Sequence, residues 1–98
     1  MMNNQHLNLH PIEVSQISAV YDTKGHITDW KLTVTFNNKN IVPPRASGAR
    51  FSVKCMENST QVEYKFPESI LREGIQHAWL FKEAMEKQIA RLNNENTK

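Results

Sequence analysis

"WKLTVTF", residues 30–36, is the stretch on which the fold reading turns. Trp30, Leu32, Val34 and Phe36 alternate with Lys31, Thr33 and Thr35. In an extended chain the apolar set lies on one face and the polar set on the other, which is the pattern of a half-buried strand. Upstream, Ile17, Ala19 and Tyr21 alternate in the same way, and "DTKGH", residues 22–26, joins the two runs. Asp22 opening a turn, with Gly25 three places on, is the chemistry of a type I turn closing on a left-handed glycine. Residues 17–36 therefore read as a hairpin.

Downstream, "NNKN", residues 37–40, is a second turn, and Ile41-Val42 reads as a short edge strand halted by Pro43-Pro44, since proline cannot donate to a sheet ladder. "RASGAR", residues 45–50, reads as an exposed flexible loop. Alternation then resumes. Phe51, Val53 and Cys55 are expected to face inward and Ser52, Lys54 and Met56 outward; "ENST", residues 57–60, turns the chain. Val62, Tyr64 and Phe66 return facing in, with Gln61, Glu63 and Lys65 facing out. Pro67 is expected to open a helix, where its missing N–H costs nothing, with Glu68 at the positive end of the dipole. Leu71, Ile75, Ala78, Phe81, Met85, Ile89 and Leu92 then fall on one helical stripe. Gly74 lies inside that stripe, where it lets the helix approach a neighbour closely.

The expected fold is α+β: an antiparallel sheet of four to five strands, in two hairpins, packed on one long C-terminal helix. Residues 1–11 are expected to be a flexible N-terminal segment, 12–93 a single domain, and 94–98 a frayed tail.

The totals exclude little. The chain has 98 residues and a net charge of +2, with 12 Lys and Arg against 10 Asp and Glu. One cysteine, Cys55, rules out an internal disulfide and suits a reducing compartment. No apolar run approaches the roughly 20 residues that span a bilayer, and "MMNNQHLNLHP" lacks the basic start and apolar segment of a secretory signal. The expectation is a cytoplasmic protein with no membrane partner.

Nothing in the sequence assembles a reactive centre. His6 and His10 have helical ligand spacing, but Pro11 disfavours a helix there and no third ligand follows. A nucleophile needs a base and an orienting group, and nothing places His26 or His77 beside Cys55. Gly25, Gly48 and Gly74 are too scattered to form a phosphate-cradling loop. The expectation is no enzyme, no cofactor and no metal.

Two surfaces stand out. From Trp30 to Met56 the chain carries Lys31, Lys39, Arg45, Arg50 and Lys54 and no Asp or Glu. On the strand reading Lys31 and Lys54 share a hydroxyl-rich outer face, with the others at its rim, which suits phosphate groups. Glu63 dilutes that face, and the aromatics that could stack bases all alternate inward. The second surface is the helix. At about 1.5 Å per residue it extends to roughly 37 Å and is expected to overhang strands of roughly 20–30 Å. Met85, Ile89 and Leu92 would then meet no strand and could pair with a second copy. Trp79 and Leu80 lie off the stripe as candidate anchors for a partner. The order of two hairpins then a helix is similar to that of PC4-like single-strand-binding domains, which dimerise through the helix. The likeness is one of element order, without a shared motif.

Two functions remain open at this point. The first is a small non-catalytic regulator or inhibitor that binds a protein, a reading that size and Asn-rich composition suit for a phage or mobile-element product. The second is a nucleic-acid-binding protein using the basic surface of residues 30–56.

Overall fold

The computed structural model describes residues 10–39, 41–69 and 73–96, with backbone alone for 94–96. Among these residues five strands and a helix follow one another: β1 (Pro11–Val14), β2 (Ser18–Tyr21), β3 (Ile27–Phe36), β4 (Arg50–Cys55), β5 (Thr60–Pro67) and α1 (Glu73–Asn96). All strand pairings are antiparallel. The expected α+β architecture is therefore the observed one.

β3 is the axis of the sheet. Its ten residues are long enough to hold β1 and β2 end to end along one edge, while β5 pairs along the other and β4 lies outside β5. The β2–β3 turn is built by Asp22, whose Oδ1 accepts from the Lys24 and His26 amides at 2.8 and 2.9 Å. Gly25 follows at φ 86°, a left-handed conformation costly for other residues.

The alternation in β3 and β5 sorts side chains as the sequence predicts. Leu32, Val34 and Phe36 lie on one face with Val62, Tyr64 and Phe66, and all six are buried. Ala78 and Met85 of α1 close the cluster. Each large apolar side chain so buried contributes about 1.5–3 kcal/mol relative to exposure. A Cβ at Gly74 would lie 2.2 Å from the Pro67 carbonyl oxygen, so the helix starts hard against the end of β5. From there α1 crosses diagonally to β1, touching β1, β3 and β5 but not β4.

Several expectations are corrected. Pro67 ends β5 rather than opening the helix, and α1 is first described at Glu73. Glu68 therefore serves the sheet. Its N–H donates to the Thr28 carbonyl (2.9 Å) and its Oε1 accepts from the Trp30 indole (2.6 Å). Leu71 lies outside the described residues. The helix runs past Asn93 to Asn96. β1 begins at Pro11, whose predecessor His10 already bonds to Asn37, so the sheet starts inside the segment expected to be mobile; residues 1–9 lie outside the described residues.

The segment after β3 differs most. Ile41-Val42 form no strand. Residues 41–49 instead fold over the sheet beside the helix. Ile41, Ala46 and Ala49 pack on the core, and the Pro44 carbonyl accepts a 2.7 Å hydrogen bond from the Tyr64 hydroxyl. The supposed flexible loop is thus a second cover for the core.

Candidate functional site

Strand register decides which charges meet. Lys31, Thr33 and Thr35 of β3, Gln61, Glu63 and Lys65 of β5, and Arg50, Ser52 and Lys54 of β4 share the face away from the helix. Lys31, Lys65 and Arg50 form one row across the three strands. Two of the three have acidic neighbours. Lys31 Nζ lies 3.7 Å from Glu63 Oε2, and the Arg50 guanidinium reaches over β5 to donate to Asp29 Oδ1 at 2.8 Å. Lys54 and Lys65 make no ion pair among the described residues.

The other two expected cations are elsewhere. Lys39 is exposed in the turn beyond β3. Arg45 belongs to the opposite layer, where it lines a cleft of about 260 Å³ with Ala46, Ser47, Phe66, His77, Leu80 and Phe81. The cationic stretch of sequence is therefore split between two sides of the sheet and one end.

The helix surface is also redistributed. Trp79 and Leu80 are exposed, at 50% and 63%, but consecutive helical residues project about 100° apart, so they form no single patch. Leu80 faces the Arg45 cleft. Met85, expected to overhang, is 5% exposed and part of the core. Ile89 and Leu92 are half-buried. The reason is β1, which lies under the far part of the helix at the Phe36 end of β3. The apolar stripe expected to serve a second copy is thus largely spent within the chain.

One face that period-two alternation directs toward the core is open instead. Phe51 and Val53 do point to the helix side, opposite Tyr64 and Val62, yet they are 43% and 44% exposed. Cys55 is exposed as well, as are all six residues of β4. A helix is about 10 Å across and strands are about 4.8 Å apart. One helix covers about two strands, the 41–49 segment covers more, and the outermost strand is left bare. The presence of one helix for four or five strands was the available signal.

The edge itself has a defined polarity. The Met56 N–H donates to the Ser59 carbonyl at 2.9 Å. Hydrogen-bonded and non-bonded pairs alternate in an antiparallel ladder, so Lys54, Ser52 and Arg50 bond to β5. Phe51 and Val53 turn their backbone N–H and C=O groups away from it, and β4 pairs with no other strand among the described residues.

The described residues hold no group of three or more His, Cys, Asp or Glu side chains placed to bind a metal ion, and no described helix is long and apolar enough to cross a membrane. Among the described residues the one strongly perturbed titratable group is structural: burial pushes the Tyr64 phenol well above its usual pKa. No protein-family model matches this chain, and no curated protein or solved structure matches it.

Proposed function

We propose that this chain is a small non-catalytic regulator or inhibitor that acts by binding a protein. The observation that carries the reading is the bare helix-side face of β4, where Phe51 and Val53 stand half-exposed. Contiguous exposed apolar surface is the usual mark of a protein contact. Beyond the 45–49 segment, Leu80 adds a further exposed apolar side chain on the same layer. The nucleic-acid reading draws less support, because two cations of the outer face already have acidic neighbours and Arg45 is on the other side.

The test is retention of a partner from nuclease-treated lysate by the immobilised chain, compared with Phe51→Ser and Leu80→Ser. The partner is expected to survive nuclease and to be lost from the variants, which keep a cooperative thermal transition. Loss of retention on nuclease treatment, or equal retention by folded variants, overturns the reading.

A further inference from the structure

We infer that the open edge of β4 is a docking site for an extended protein segment whose residues alternate between apolar and acidic, added to the sheet as a further strand. The inference rests on the protein-binding reading and names the partner's chemistry.

Three observations converge on it. The first is the backbone. Phe51 and Val53 present outward N–H and C=O groups from a six-residue strand whose pairing with β5 shows no register shift. An incoming chain can bond to such a row directly. The opposite edge of the sheet is guarded: β1 and β2 have four residues each, and both carry an irregularity in register, between Pro11 and Glu13 and between Val20 and Tyr21. Short, bulged strands are how edges are blocked. β4 is neither short nor bulged by comparison.

The second observation is the inner face. Phe51 and Val53 have cross-strand neighbours on the β5 side alone, Tyr64 and Val62. Apolar side chains on a new strand would occupy the other side and remove the remaining exposed surface from water.

The third is charge. The outer face of β4 carries Lys54, which makes no ion pair among the described residues, and Arg50, which is already held by Asp29; the strand itself holds no acid. Beside it lies a shallow depression of about 200 Å³ bordered by Arg50, Phe51, Ser52, Glu63 and Lys65. Acidic residues on the outer face of the incoming strand would meet Lys54 directly, and could reach Arg50 only by sharing it with Asp29. The same charges argue against a second copy of this chain. Antiparallel self-pairing that keeps the two layers continuous, centred on Ser52, sets Arg50 opposite Lys54 of the second copy. Centred on Val53, it still gathers four cations on two adjacent strands, with only the Arg50 of each copy offset by an acid, Asp29. Like charges so placed oppose pairing.

The probe is an end-capped octapeptide alternating valine and glutamate, titrated onto the full chain and followed by amide resonances and hydrogen exchange. The amides of Phe51 and Val53 are expected to shift and gain protection. An octapeptide alternating valine and lysine is expected to bind at least about tenfold more weakly. Val53→Pro removes an outward N–H without breaking a bond to β5, and is expected to weaken the glutamate peptide at least about tenfold. Lys54→Glu, exposed and outside the core, is expected to reverse the preference between the two peptides, and keeps the test decisive if Val53→Pro unfolds. Equal binding of both peptides, or binding without protection at Phe51 and Val53, overturns the proposal. So does self-association of the unmodified chain at micromolar concentration that Val53→Pro abolishes. If the lysate partner is lost with Phe51→Ser but kept by Val53→Pro and Lys54→Glu, the edge proposal fails while the protein-binding reading stands. If a single-stranded oligonucleotide perturbs the outer face and no peptide or lysate protein binds, both fail.

Discussion

The Tyr64 hydroxyl donates a 2.7 Å hydrogen bond to the carbonyl oxygen of Pro44, joining the middle of the sheet to the segment that closes the core beside the helix. Tyr64 also packs against Phe51, Phe66 and Phe81, with the Phe81 ring centroid 4.5 Å away. Removing only the hydroxyl isolates the tie from the packing. Tyr64→Phe is expected to lower stability by about 1–2 kcal/mol, the cost of a lost hydrogen bond that leaves an acceptor unmatched. Urea unfolding measures it. Faster hydrogen exchange in residues 41–49 than in α1 would place the loss at the tie.

The same phenol makes stability fall in alkali. Its folded pKa is raised by burial above an unfolded value of about 10. The native chain therefore keeps a proton that the unfolded chain releases. The contribution is fully present below about pH 10 and is lost as pH rises from there, by at most about 1.4 kcal/mol per pH unit. The stability gap between the unmodified chain and Tyr64→Phe is expected to narrow as pH rises above about 10. Parallel pH curves for the two proteins would sink this account.

Gly74 is a packing position. Alanine there gains about 1 kcal/mol of helix propensity, but its Cβ would meet the backbone of Pro67 and Phe66 at 2.2 and 3.1 Å. Backbone atoms cannot step aside as a flexible side chain can, so the whole helix start must move. Gly74→Ala is expected to destabilise by about 1–3 kcal/mol, the range for overfilled cores. A rise in the urea midpoint would show that the contact is loose.

Met85 and Leu80 separate core from surface on one helix. Met85→Ala leaves a void under α1 and is expected to cost about 2–4 kcal/mol. Leu80→Ala, at an exposed position, is expected to stay within about 0.5 kcal/mol. Thermal unfolding of the two variants reads the contrast directly. Similar losses would mean that Leu80 is covered in solution.

Much of this was legible from local pattern. The alternation of Trp30 to Phe36 and of Val62 to Phe66 places the central strands and their core faces, and Asp22 with Gly25 places a turn. Lys31 and Lys54 do share a face, as period-two geometry requires. The misreadings concern coverage. Phe51 points the way its strand dictates, yet what lies above it depends on the width of one helix. Met85 has a strand beneath it because β1 returns to the edge of β3, a pairing between residues 20 or more positions apart.

The sequence by itself determined the class of fold, two hairpins and a helix, and the inward or outward sense of side chains in the central strands. These follow from backbone periodicity, which acts between near neighbours in the chain. Only the tertiary structure decided that β4 stands as a bare edge, that residues 41–49 roof the core, and that Arg45 leaves the cationic face. Those depend on how many elements compete to cover one sheet. That is a matter of areas and lengths summed over the whole molecule, which no single stretch of residues carries.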